Sequence, residues 1–339
     1  MRLWNYLGPS AHTMTTAKDD GPLQAQNSPI ASVIIPNWNG EKLLPDCLDS
    51  LRRQTFKDFE VIVVDNASRD TSLELLSQRY PETQVISMDR NYFFSGAVNE
   101  GVRRARGEIM VFMNNDTEAD PQWLEELVMA LEREPRAGMA TSKMLLFDRR
   151  NVINSAGDFY GKNGVPGNRG VWEVDHGQYD SSTDVFGACA GAAAFRRSML
   201  EEIGLFDEDF VGYCEDVDLS FRAQLAGYKC VFAPQARIYH RLGASGGGSL
   251  ASYLCGRNFI SVIVKNMPAR LLRRYWWQII AGQLRFTAQA LWHIREPAAR
   301  ARLRGQVAGL FQIPKMIPKR KGVLALKRVS DDYIESILS

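Results

Sequence analysis

Apolar runs and helically spaced apolar positions alternate along the first third of the chain. The runs are Val33-Ile34-Ile35, ending at Pro36, then FEVIVVDN at 59–66, TQVISM at 83–88 and EIMVFMNND at 108–116. None alternates apolar with polar, which is the pattern of a parallel strand covered on both faces. Between the first two, Leu43, Leu44, Cys47, Leu48 and Leu51 recur at helical spacing within 41–54. Asp70 stands where it would cap a helix that Pro81 stops, and Ser95 where it would cap one closing before Gly107. TEAD at 117–120 leads into a further helix, with Asp120 as cap, Pro121 at its first position and Leu124, Leu127, Val128 and Leu131 on one stripe. Strand, helix, strand, helix predicts an α/β fold: an open, Rossmann-like, mostly parallel sheet flanked by helices, with right-handed crossovers.

The pattern then weakens. Residues 148–187 are rich in Gly, Asn and Asp and read as loops and hairpins. Helical spacing returns in RRSMLEEIG and in EDVDLSFRAQLAGYK, where Gly227 is the expected C-cap. Within EDVDLSFR, Asp218 and Arg222 form an i,i+4 pair. GASGGGS at 243–249 reads as a flexible lid or linker. Near the end, 268–294 sets Leu272, Trp276, Ile280, Leu284 and Leu291 on one stripe, the mark of an amphipathic helical segment. Arg285 interrupts it, so no twenty-residue uncharged span is available to cross a bilayer. Three parts follow: a disordered leader over 1–29 without a signal peptide's apolar core, a main domain over 30–265, and a basic, aromatic-rich helical tail over 266–339.

Charge sharpens that division. The 339 residues carry 41 Lys or Arg and 39 Asp or Glu, a net charge of +2. Residues 265–328 hold fifteen of the basic residues and one acid, Glu296. That segment is therefore about +14, and the rest about −12. Tryptophans flanked by arginines suit a helix lying in the interface of an anionic membrane. The competing reading is a basic helix docked on the acidic body. No nucleic-acid module is recognisable. Five scattered cysteines with no C-x-x-C pair argue against a disulfide framework or a zinc site, and fit reduced thiols in the cytoplasm.

Candidate chemistry sits where the strands end. The first run ends in Asn37-Trp38-Asn39 and the second in Asp65-Asn66; the third is followed by Asn91 and Ser95; the fourth ends in Asn114-Asn115-Asp116. Ligands of open parallel sheets bind outside the carboxyl ends of the strands. Asn and Asp are also common turn formers, but four successive ends favour a shared site. Trp38 there has core packing as its plain alternative. No G-x-G-x-x-G or P-loop is present, which disfavours an NAD-dependent oxidoreductase. Carboxylates and amides without a Gly-rich phosphate loop suit a nucleotide whose phosphates are neutralised by Mg²⁺ or Mn²⁺.

Five motifs in order, SVIIPNWNG, VIVVDNASRDTS, NYFFSGAVNEG, VFMNNDTEADPQWLEEL and the stretch from EEIGLFDEDF through GYCEDVDLSFRAQLAGYK to RIYH, resemble the family 2 glycosyltransferases, particularly the bacterial rhamnosyltransferase-like branch. The resemblance spans about 30–265. It implies the GT-A fold, a nucleotide-diphosphate sugar donor, a divalent cation and inversion at the anomeric carbon. Pro36, Asn37 and Asn39 would line the nucleoside pocket. Asp65 would hydrogen-bond the base or ribose, with Asn66 and Asp70 beside it. Asn91, Ser95 and Asn99 would shape the pyrophosphate and sugar side. Asn114-Asn115-Asp116 stands at the family's D-x-D motif, with Asp116 as the metal carboxylate and Asn114 in support. Asp216 would be the catalytic base beside Glu215, and His240 a further metal or phosphate contact. The expected activity is sugar transfer, with rhamnose as the sugar pointed to, onto a glycan or polyprenol-linked acceptor at the inner face of the plasma membrane. The alternative, suggested by Asn114 in place of Asp, is a catalytically inactive relative acting as a membrane-bound assembly partner.

Overall fold

The computed structural model describes residues 28–244 and 247–339. Most of the expected leader, and Ser245 and Gly246 of the Gly-rich stretch, lie outside the described residues. The first half runs β1 (Ala31–Asn37), α1 (Leu44–Arg52), β2 (Phe59–Asp65), α2 (Ser72–Arg79), β3 (Gln84–Ser87), α3 (Phe93–Arg104) and β4 (Ile109–Met113). Strand β1 pairs in parallel with β2 and β4, and β2 with β3. Successive side chains of a strand point to opposite faces, so each apolar run feeds two cores. Val33, Ile35, Val63 and Val111 pack with α1, while Ile34, Ile62, Val64 and Phe112 pack with Ala97 and Val98 of α3.

The second half adds β5 (Thr117–Ala119), α4 (Trp123–Arg133), β6 (Ala137–Leu146), β7 (Ile153–Ser155), β8 (Asp158–Tyr160), β9 (Pro166–Asn168), β10 (Asp184–Val185), β11 (Ala192–Arg196), α5 (Arg197–Ile203), α6 (Glu215–Ala226) and β12 (Lys229–His240). The sheet order is β10-β12-β6-β11-β4-β1-β2-β3. Strand β11 is antiparallel to both β4 and β6, whereas β12 runs parallel to β6. Strands β8 and β9 form a separate hairpin. The C-terminal helices are α7 (Gly248–Asn266), α8 (Ala269–Trp292), α9 (Pro297–Ala325) and α10 (Asp331–Ile337).

Four local expectations change, and one is the start of α4: Asp120 does not cap it and Pro121 does not open it, because the helix begins at Trp123 after Gln122, while the Asp120 carboxylate accepts from the Tyr239 hydroxyl. TEAD does not open a helix: Thr117–Ala119 is β5, because β12 offers it an edge, with Thr117 opposite His240 and Ala119 opposite Ile238. Ser95 is not a cap but lies inside α3, fully buried. The start of α3 is shaped instead by Asn91, whose Oδ1 accepts from the Phe93 amide at 2.7 Å. Gly248 and Ser249 of the Gly-rich stretch already belong to α7. The cap at Gly227 has the expected left-handed backbone, φ 92°.

Candidate functional site

The carboxyl ends of β1, β2 and β4 face a cleft of about 790 Å³. Its sheet-side wall is built from amides that bond one another. Asn115 donates Nδ2 to Asn37 Oδ1 at 2.8 Å, and Asn37 donates Nδ2 to Asp65 Oδ1 at 3.0 Å. Gly40 makes this possible, since a Cβ there would overlap both Asn37 Oδ1 and Asn115 Nδ2. Asn66 accepts from the Tyr92 amide and donates to Phe93 O, each at 3.1 Å, which fixes the turn before α3. Pro36, Asn37, Asn66, Asn91, Asn114, Asn115 and Asp116 all line the cleft. Trp38 lines it too and is 54% exposed, so core packing is excluded.

Five residues expected at the site do not line this cleft. Asp65 is fully buried and takes hydrogen bonds on both oxygens, from Asn37 and the Ser68 hydroxyl on Oδ1 and from the Ser68 amide on Oδ2. Asn39 accepts from the Arg69 amide, and Asp70 accepts from the Glu41 and Ser72 amides, so both knit the loops behind the edge. Asn99 bonds Phe206 and Glu208 on the far side of α3. Ser95 is fully buried within α3. Asp65, Asn39 and Asp70 act here through the shape of the edge.

Strand pairing brings Asp116 and His240 together. They flank the β5–β12 ladder, with His240 Nε2 at 3.3 Å from Asp116 Oδ1. His240 Nδ1 lies 2.9 Å from Asn154 Oδ1. An amide oxygen there makes Nδ1 the donor, so in the neutral ring Nε2 presents its lone pair to the carboxylate. A carboxylate oxygen and an imidazole nitrogen at that distance are two atoms that one cation can share. Among the described residues no three His, Cys, Asp or Glu side chains converge as a metal site. One carboxylate and one imidazole at a strand end still fit a divalent cation whose remaining ligands are diphosphate oxygens.

The opposite wall is acidic. Val211, Tyr213 and Cys214 all have positive φ, 62–70°, a conformation costly for residues with a Cβ. Helix α7 holds this turn: Asn258 donates to Phe210 O, Gly212 O and Tyr213 O, and Arg257 donates to Asp209 O and Phe210 O. The turn delivers Glu215 and Asp216, at the start of α6, into the cleft. Asp216 accepts from the Ala190 amide at 3.3 Å and from the Val217 amide at 2.8 Å. Burial nonetheless pushes its carboxyl above the usual range. Glu215 is pushed well above it, by burial first and then by the Asp216 charge, and its Oε2 has no hydrogen-bond partner. Asp218 turns away into a buried network with Arg222 and Lys265, extending the expected i,i+4 pair.

Sequence reasoning missed Asn154, Asp158 and Asn168, which complete the cleft from β7, β8 and β9. Their segment has neither period nor motif. The available signal was compositional, a cluster of Asn, Asp and Gly read as loops and hairpins.

The family described as Glycosyl transferase family 2 matches residues 32–204. The O-antigen biosynthesis protein RfbC of Myxococcus xanthus is 30% identical over 230 residues, covering 65% of this chain and 18% of that protein. The chain thus spans less than a fifth of that relative's length. The N-acetylglucosaminyl-diphospho-decaprenol L-rhamnosyltransferase of Mycobacterium tuberculosis is 28% identical over 234 residues, 62% of this chain and 76% of that one. In structure, the mannosyltransferase PcManGT of Pyrobaculum calidifontis, in complex with GDP-Man and Mn²⁺, matches with a TM-score of 0.54 at 18% identity, over 88% of this chain and 86% of that one. That likeness is one of fold, and the fold is GT-A.

Proposed function

The chain belongs to glycosyl transferase family 2, and on that premise we propose that it transfers a sugar from a nucleotide-diphosphate sugar to a hydroxyl of a polysaccharide or lipid-linked glycan, with inversion. The observation that carries the reading is the cleft itself. A carboxylate, Asp216, stands on one wall, and an Asp116–His240 pair with an amide edge stands on the other. In this reading the amide edge holds the nucleotide. Asp216 accepts the proton of the acceptor hydroxyl while that oxygen bonds the anomeric carbon from the face opposite the diphosphate. The bond to the diphosphate breaks, and the nucleoside diphosphate leaves with the electron pair. A divalent cation held by Asp116 and His240 would offset the charge of the leaving diphosphate. The relative named as a decaprenol-linked rhamnosyltransferase makes rhamnose and a polyprenol-linked acceptor the first candidates.

We assign 30–265 to catalysis and 266–339 to attachment at the inner face of the plasma membrane. No helix among the described residues is long and apolar enough to cross a membrane. Support for a surface role comes from exposed Trp276, Trp277 and Trp292 on α8 and Phe311 on α9.

The test is a hydrolysis and transfer screen across UDP-, GDP- and dTDP-sugars with Mn²⁺, dTDP-rhamnose included. Asp216→Asn should lower transfer about 10²–10⁴-fold while retaining nucleotide binding. Transfer by that variant at the wild-type rate would sink the assignment. Asn114 at the strand end favours the second reading, an inactive assembly partner. Calorimetry decides for that reading if nucleotide sugars bind no better with Mn²⁺ than without it.

A further inference from the structure

Asp158 has no role in the chemistry above, yet it is built with care. It is only 5% exposed, and no cation pairs with it among the described residues. Buried carboxylates are normally paired with a cation, because desolvation is costly. Its neighbours make matters worse: burial, and then the Asp216 charge, push its carboxyl well above the usual range. Packing alone gives no reason to keep an acid there.

The hairpin geometry shows what the group offers. Asp158 and Asn168 face each other across the β8–β9 ladder. Asn168 Nδ2 donates to Asp158 Oδ1 at 2.7 Å, and the Ser155 hydroxyl reaches the same oxygen at 3.5 Å. Among the described residues no donor reaches Asp158 Oδ2, and none reaches Asn168 Oδ1. Both residues line the cleft, as does Glu215 with its buried, unpartnered Oε2. The pair therefore presents two oxygens with capacity to spare at fixed spacing, on a hairpin separate from the sheet edge that carries the amides.

We propose that Asp158 and Asn168 form a sugar-reading subsite that hydrogen-bonds two hydroxyls of one pyranose ring in the cleft. Adjacent hydroxyls, each able to donate and to accept, are the groups such a pair suits. The ring is either the transferred sugar or the acceptor's terminal sugar. The proposal rests on the glycosyltransferase reading for the identity of its ligand.

The experiment uses the full chain, Asp158→Asn and Asn168→Ala, each checked by thermal melt. Asn168→Ala changes no charge and carries the test if Asp158→Asn melts early. Calorimetry with UDP, GDP and dTDP plus Mn²⁺ should give wild-type affinities in both variants. If the ring is the donor's, affinity for the matching nucleotide sugar falls at least tenfold. If it is the acceptor's, nucleotide-sugar affinity holds and the acceptor KM rises at least tenfold. Unchanged constants in both variants overturn the subsite, as does an equal loss of affinity for the bare nucleotides. Saturation-transfer NMR with methyl glycosides separates the two readings. A wild type that binds glycosides through these residues but no nucleotide loses the transferase reading and keeps the subsite, while binding of neither overturns both.

Discussion

In the proposed reaction Asp216 is the base, in surroundings that disfavour its charged form, and Glu215 and Asp158 share those surroundings. Burial raises all three, and the Asp216 charge further raises the other two. Asp216, held by two backbone amides, is the carboxyl of the three best placed to ionise. The acid limb of kcat/KM should therefore lie above the ordinary carboxylate range. The same shifts bear on stability. A carboxyl whose folded pKa exceeds its unfolded value lends stability that is complete below the unfolded pKa. That stability drains as pH rises through the folded one. Glu215→Gln removes this liability, so it should raise the melting temperature by a few degrees at pH 8 and leave it nearly unchanged at pH 4. Melts at the two pH values check it; an equal shift at both would mean that the Glu215 charge is not the cause.

At the scale of elements, α7 organises the acidic wall while α9 holds α7. Lys265 bonds Asp207 and Asp218, and Lys319 of α9 reaches Asp207 and Asp209. Although burial pushes Asp207 up, these lysines hold it down at about 2. The two helices touch backbone to backbone at Gly305, where a Cβ would overlap Tyr253 O. Gly305→Val should cost about 1–3 kcal/mol by overpacking and loosen the 211–214 turn. The check is a denaturant melt together with the activity assay; full stability and activity would show that α9 does not brace the wall. Much of the sheet was legible because runs such as Val33–Ile35 and Ile109–Met113 are buried on both faces whatever surrounds them. Strand β5 was not, since TEA becomes a strand only through its partner β12, over a hundred residues on. Asp65 was expected at the base or ribose, and its hydrogen bonds to Ser68 and Asn37 could not be read from spacing. Asp158 and Asn168 were invisible for the same reason: a two-stranded hairpin of three-residue strands has too little period to register.

Across the whole molecule, the charge division in the sequence is partly closed in the fold. Lys265, Lys315 and Lys319 pair with the acids Asp207 and Asp209 of the main body, as the docked-helix reading expects. The closure is incomplete. Arg273, Arg285, Arg295, Arg304 and Lys321 are exposed and take no acidic partner among the described residues. Beside them, Trp276, Ile280, Leu284 and Leu291 leave one stripe of α8 outward, and Val307, Leu310, Phe311 and Ile317 do the same for α9. Leu272, at the head of the expected stripe, packs into the core instead. Exposed apolar stripes among unpaired cations suit an anionic bilayer surface better than bulk water. Two contributions should then separate in one experiment. Sedimentation with phosphatidylglycerol vesicles should exceed that with phosphatidylcholine vesicles, and the difference should shrink as salt rises, because the electrostatic part is screened. Trp277→Ser with Phe311→Ser should weaken binding at every salt concentration, since burial of an aromatic side chain is indifferent to ionic strength. Binding that ignored both lipid charge and these two residues would return the tail to a purely internal role, as the brace behind α7.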